Sequence, residues 1–469
     1  MKKLNFLSKA LSPGIGRFLF GMIPLVSLVA CADNGYGADY TWTGANSDSF
    51  SDWRNWSGGA APSATTVNSF FFGTAENHSL QLAGGNDWTF SSITFNPGAD
   101  SFNIGPSSGG TVVGQRFVAV APGWASVVQE SANDQTISAT IYLSQATSTL
   151  SIEGAGDGAL TLSSVRIWPG GTQTFNAHRN VTFGSITAAG SSANAMLDFN
   201  VDSGKVVTFS PTVPNVAANG IGNPSTKATS VTKTGNGTLD LRTANTYSGG
   251  TLISAGTLLA NNTTGSATGD GAVTLANGIL GGTGTIAPKN SDISLDSGVL
   301  AVGNVDDASG SGIVSLTFQK SGGVSNFSLS SDVTVKLDIW SAANYERLVF
   351  GSNANAFDSI NLNGASLVVS STFSGWKYGD SFTLFEWGSD PLDRFGELLT
   401  LPELSNGLVW DTSELYVTGM IRVVPEPGTV ALATGALILI GATQRGVRRH
   451  SRDSGAEALN RDTIKELAL

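Results

Sequence analysis

The side chains of this 469-residue chain that could do chemistry are few and widely spaced. Histidine occurs only at His78, His178 and His450, with no His-x-x-x-His pair, and Cys31 is the single cysteine. That leaves no ligand set for a histidine or cysteine zinc site and no intrachain disulfide. Candidate acids for glycosidic chemistry are Asp157, Asp198, Asp202, Asp306 and Asp307. Paired carboxylates, or an arginine with calcium, could cleave a polysaccharide, but nothing in the spacing fixes two of these acids at a catalytic separation. Aspartate scattered among glycines more often builds turns. Asp270-Gly271 could hold calcium, yet the repeated Gly-Gly-x-Gly-x-Asp pattern is absent. No helix outside the two ends supplies the strand-to-helix elbow of a serine hydrolase. The expectation is a non-catalytic protein without cofactor or metal, with a polysaccharide lyase or glycosidase as the enzymatic alternative.

A second chemistry is sugar binding. Trp42, Trp53 and Trp56 lie close together near the start of the chain, among Asn and Asp residues. Rings stack on pyranose faces while polar groups take hydroxyls. The competing reading makes the same aromatics a cap over the open edge of a strand stack.

The elements that would position such groups follow from composition. Glycine contributes 58 residues and charged residues only 13%. Glycine, Ser, Thr and Asn all disfavour helix, while 41% hydrophobic residues are too many for a disordered chain. From residue 233 to 318, apolar residues alternate with small polar ones in short runs, such as Thr238-Leu-Asp-Leu241 and Thr251-Leu-Ile253, separated by Asn-Gly, Gly-Gly and Ala-Gly corners. Period-two alternation is the strand signal. Strands this short need stacking, so circuits of about 20 to 30 residues laid on one another are expected. The fold class is therefore all-β, a right-handed parallel β-helix with caps at both ends, an antiparallel sandwich being the local alternative.

The formal net charge is −11, and several bases cluster in the two ends. An acidic body disfavours nucleic acid as a partner. The first end has Lys2, Lys3, Lys9 and Arg17, then the apolar run Phe18 to Ala30, then small residues, the pattern of a signal peptide over 1–38. Signal peptidase could cut at Ala30-Cys31-Ala32 or at Tyr36-Gly37-Ala38. Alternatively, Leu28-Val29-Ala30-Cys31 resembles a lipobox, with Cys31 lipidated.

The other end reads Val423-Val424-Pro425-Glu426-Pro427-Gly428-Thr429, then an apolar stretch from Val430 to Ala442, then Arg445, Arg448 and Arg449. The prolines keep the lead extended and accessible. The apolar stretch is short for a stable span, and the arginines hold its far side in the cytoplasm. The arrangement resembles the PEP-CTERM sorting signal. That resemblance implies a short transmembrane helix, an exosortase-type transpeptidase as partner, processing near Val424 to Gly428, and attachment to the cell envelope or release outside. The tail from His450 to Leu469 departs from the pattern.

Within the body, Gly235-Asn-Gly-Thr-Leu-Asp-Leu241, Asn245-Thr-Tyr-Ser-Gly-Gly-Thr251 and Ile253-Ser-Ala-Gly-Thr-Leu258 resemble the autotransporter-associated β-strand repeat. The resemblance implies a β-helical stalk, clearest at 233–260. The expected organisation is a signal peptide (1–38), an aromatic-rich cap (39–110), the β-helix (111–340), terminal coils and cap (341–422), the sorting signal (423–449) and a polar tail (450–469). The implied role is structural, adhesive or in an extracellular matrix, with exopolysaccharide or other envelope components as partners.

Overall fold

In the computed structural model the described residues are 38–426, excluding 83–86, 107–114, 120–123, 191–192, 214–218, 225, 304–311, 398 and 406. Nearly all regular structure within them is strand, and the only helical turns described are the short 3-10 turns Trp53–Asn55 and Asn353–Asn355.

Successive strands alternate between long parallel ladders. One ladder runs from Asp39–Trp42 through Ser148–Glu153, Thr172–Ala177, Ala195–Val201, Thr229–Thr234, Thr251–Ile253 and Val273–Leu275 to Ser359–Asn361. The other runs from Ser79–Leu82 through Leu160–Ile167, Val206–Phe209, Thr238–Leu241 and Thr257–Ala260 to Leu399–Thr400. A broken third row links Arg116–Ala119 to residues 140–143, 164–167 and 185–186. Each strand pairs with the strand one circuit earlier and one circuit later, so the chain winds as a solenoid. The partners Thr232, Leu252, Thr274 and Ser294 set successive circuits of 20, 22 and 20 residues, whereas Asp198 to Thr232 takes 34. The stacking expected from the short alternating runs is thus present, and the antiparallel sandwich is not what forms.

The ladders overrun both boundaries expected for the repeat body. Asp39–Trp42 already pairs in parallel with Asn68–Phe72, and Ser366–Ser371 still pairs in parallel with Leu399–Thr400. A separate three-stranded antiparallel sheet of Ser381–Thr383, Leu408–Asp411 and Met420–Pro425 follows. It packs on the last circuits through Phe382, 5.4 Å from the ring of Tyr345.

Inward positions one circuit apart carry like residues, and these stack. Phe175 pairs with Phe199 and Phe183 with Phe209, their ring centroids 5.1 and 5.5 Å apart and nearly parallel. Rings in that separation range attract beyond their simple burial. The strand spacing of about 4.8 Å therefore sets the aromatic spacing directly.

Candidate functional site

The tryptophans proposed for sugar contact separate into two roles. Trp42 and Trp56 are 1% and 2% exposed, edge to face at 5.1 Å, with Phe50 and Phe70 packed around them. Trp42 Nε1 donates to the Asn77 carbonyl at 2.9 Å and Trp56 Nε1 to that of Phe50 at 2.8 Å. Neither ring presents a face to a ligand; of the two readings, Trp42 and Trp56 take the packed one, and the candidate glycan contact does not extend to them. Only Trp53 of the three, at 56% exposure, faces solvent. Its 3-10 turn is held by Asp52, which accepts from the Arg54 backbone and guanidinium, and the Arg54 contacts hold the Asp52 carboxyl well below the usual range. Trp53→Ala is expected to change stability by less than about 0.5 kcal/mol, as at other exposed positions, which equilibrium urea unfolding would measure.

Of the three described candidate acids, Asp157, Asp198 and Asp202, the last two take separate partners. Asp157 is exposed in a turn, Asp198 accepts from Thr234 Oγ1 at 2.6 Å, and Asp202 Oδ2 lies 2.8 Å from His178 Nδ1 on the surface. Among the described residues, no group of three or more His, Cys, Asp or Glu could hold a metal ion. Asp306 and Asp307 lie outside the described residues, as do Cys31, Pro427, Gly428, Arg445, Arg448 and Arg449. Gly105-Pro-Ser-Ser-Gly109 has the Gly-x-Ser-x-Gly spacing, but Gly105 and Pro106 end the strand Asn103–Pro106 and the serines are not described.

The start of the segment expected to be a sorting signal, up to Glu426, is described, and it belongs to the fold. Val424 and Pro425 lie in the strand Met420–Pro425 opposite Val409 and Leu408, and the Glu426 amide donates to the Gly407 carbonyl at 2.8 Å. The lead is extended, as its prolines require, but up to Glu426 it is hydrogen-bonded into the terminal sheet and is not a free linker. The expected transmembrane helix falls on residues outside the described set. Within the set, no helix is long and apolar enough to cross a membrane.

A set of buried polar side chains inside the solenoid was not anticipated. Lys233 is fully buried, in the inward column between Phe199 and Ile253. Its ammonium donates to the carbonyls of Thr234 at 2.6 Å, Gly235 at 2.8 Å and Ala255 at 3.3 Å. Burial pushes its pKa down to about 8, partly opposed by Asp198. Asn245 joins three circuits: its Oδ1 accepts from the Ile221 amide at 2.6 Å, and its Nδ2 donates to the Ala267 carbonyl at 2.5 Å. Asn262 links two circuits: its Oδ1 accepts from the Thr285 amide at 2.9 Å while its Nδ2 donates to the Thr264 and Gly265 carbonyls of its own corner. Arg179 bridges earlier circuits by donating to the carbonyls of Gln129 and Gly158 at 2.5 and 2.6 Å, and its burial lowers its pKa. These groups satisfy corner backbone that the ladders leave unpaired. They are latches between circuits, and nothing in their geometry offers a substrate access.

Asn245→Ala would strand the Ile221 amide and the Ala267 carbonyl. A loss of about 2 kcal/mol is expected in urea unfolding, because buried groups without partners cost about 1–3 kcal/mol.

Residues 231–260 match the family model described as the passenger-associated-transport-repeat. The matched segment covers most of Thr229–Thr234, all of Thr238–Leu241 and Thr251–Ile253, and runs to the end of Thr257–Ala260, about one and a half circuits. It contains Lys233 and Asn245, so the repeat unit carries its own latches. No curated protein matches the chain. The repeat sits within the long parallel stack, an arrangement similar to a passenger-like β-helix.

Proposed function

We propose that this chain is an exported, cell-surface β-helix with a structural, adhesive or matrix role and no catalytic one. The observation that carries this reading is the passenger-associated repeat embedded in a continuous parallel stack whose interior is filled by packed side chains. Such a stack is a spacer by construction, since each circuit contacts only its neighbours and length is gained by repetition. A right-handed winding is expected from strand twist. On the same reading, residues 1–38 are removed by signal peptidase or processed at Cys31. Residues 423–449 act as a transient inner-membrane anchor recognised by an exosortase-type transpeptidase, which leaves the body at the envelope or in the matrix.

Protease treatment of intact cells, followed by mass spectrometry of both ends of the native protein, tests this. The expected result is a body digested from outside and a chain trimmed near residue 38 and near Glu426. A chain protected in intact cells, with residues 1–38 and the arginine cluster retained, would overturn it. Incubation with acidic and neutral glycans tests the non-catalytic part, which reproducible product formation would sink.

A further inference from the structure

On the third row of strands, the outward positions of neighbouring circuits bring together side chains that the architecture does not use. Tyr142 pairs in register with Arg166, and Arg166 with Thr187. Trp168 follows Arg166 by two residues, its amide donating to the Leu143 carbonyl at 2.8 Å and its own carbonyl accepting from Gln173 Nε2 at 3.1 Å. The ladder spacing places Tyr142 about 4.8 Å from Arg166 along the stack, and Trp168 is about 6.6 Å beyond it along the strand.

The groups differ in how they are held. Arg116 is committed: it makes two contacts to Asp87, at 2.9 and 2.5 Å, and its guanidinium lies over the Tyr142 ring at 4.9 Å. It fixes the phenol ring in place. Arg166 is exposed and has no acidic partner among the described residues. Trp168 is 45% exposed although it is a large apolar side chain in a fold that buries most of its aromatics. The register partner of Arg166 on the following circuit, Thr187, is an uncharged hydroxyl residue. An exposed guanidinium with no acidic partner among the described residues, two positions from an exposed indole, is unusual for a chain of net charge −11.

We propose that Tyr142, Arg166 and Trp168 form a surface subsite for an acidic polysaccharide, the indole stacking on a sugar face and the Arg166 guanidinium pairing with a uronate carboxylate. Planar guanidinium matches carboxylate in a two-point contact, and aromatic faces match the apolar face of a pyranose. An exposed row of stacked strands suits an extended polymer that adds weak contacts along its length. The unpaired guanidinium favours an acidic over a neutral glycan through a local contact with one carboxylate, made against the acidic body as a whole. The site deepens the adhesive reading above, but it is tested by binding alone and does not depend on where the protein resides.

The test is retention of the intact protein in gels containing polygalacturonate or, at equal mass, neutral dextran. The expected result is retention by polygalacturonate alone, weakened by salt. Arg166→Gln and Trp168→Ala should each raise the apparent Kd at least about tenfold, the scale of one lost charge-assisted contact, with Arg166→Lys intermediate and Trp53→Ala unchanged. Both altered residues are exposed, so unchanged circular dichroism shows that the variants fold. Equal retention by the two polymers, or an Arg166→Gln/Trp168→Ala double variant retained like the wild type, would overturn the proposal. Loss of binding with a surface location intact sinks this subsite alone.

Discussion

Replacing Lys233 with alanine is expected to lower stability by about 3 kcal/mol or more, because it removes the single donor shared by several buried carbonyls and leaves a cavity beneath Phe199. The acceptors are Thr234, Gly235 and Ala255, on two successive circuits, so the loss falls on the joint between them. Lys233→Met keeps the aliphatic stem and removes the buried charge, and should lose about half as much. The two variants separate the hydrogen-bonding role from packing. Hydrogen exchange gives the local readout: the Ser254 amide, which donates to the Lys233 carbonyl at 3.0 Å, should exchange faster in the alanine variant, while amides near Phe72 stay protected.

The same lysine gives a pH signature with a definite sign. Its pKa falls from 10.5 to about 8 on folding, so between those values the unfolded chain binds the proton and the folded chain does not. Stability then rises with pH across that window, by up to about 3 kcal/mol for a shift of this size. Below about pH 8 both states are protonated and the cost of the buried cation is present in full. Urea unfolding of wild type and Lys233→Met from about pH 7 to pH 10.5 measures it. The difference should move in favour of the wild type as pH rises, and a constant difference would show that the carbonyl cradle holds the ammonium charged throughout.

Much of this architecture is legible in the sequence because a solenoid writes its geometry into local pattern. Thr238-Leu-Asp-Leu241 and Thr257-Leu-Leu-Ala260 have the alternation of strands, and they pair in register one circuit apart. What pattern alone does not give is how far the stack extends. The aromatic opening is legible as either cap or sugar platform, because a ring in a strand has the same sequence signature whether it packs on Phe50 or stacks on a pyranose. Its burial is decided by Asn68–Phe72, which lies beneath it in the next circuit. The polar latches leave a weaker signal: counting by twos from Val231 puts Lys233 on the inward face, and the same step takes Asn245 to Tyr247, both buried. Hydrophobicity hides such positions, since a lysine or asparagine ordinarily marks the outward side. The pairing of Arg166 with Tyr142 is not legible, because it depends on the register between residues 24 apart.

The corner glycines supply the other large effect, and they separate two costs that are usually confounded. Gly282→Val is expected to destabilise the chain by more than about 4 kcal/mol, adding backbone strain to overpacking. Gly282 has φ of 111°, and a Cβ there would sit 2.2 Å from the Ala260 carbonyl oxygen and 2.6 Å from the Ala260 nitrogen. Both are backbone atoms of the preceding circuit, held by the ladder between Thr257–Ala260 and Ile279–Gly282, so they cannot turn aside as a side chain would. Gly282 also exchanges a pair of hydrogen bonds with Gly303, each 2.9 Å, which a displaced corner would lose. Gly190 has a positive φ of 79° but nothing within 4 Å of where an added methyl would stand, so Gly190→Ala should cost only the left-handed penalty of about 1–2 kcal/mol. Gly73 has neither restriction, and Gly73→Ala should be neutral or stabilise by about 0.5 kcal/mol by restricting the unfolded chain. The order Gly282, Gly190, Gly73 in urea unfolding is the discriminating result. Equal losses at Gly282 and Gly190 would mean that torsion alone sets the cost of these corners, and that close approach between circuits does not hold the stack in register.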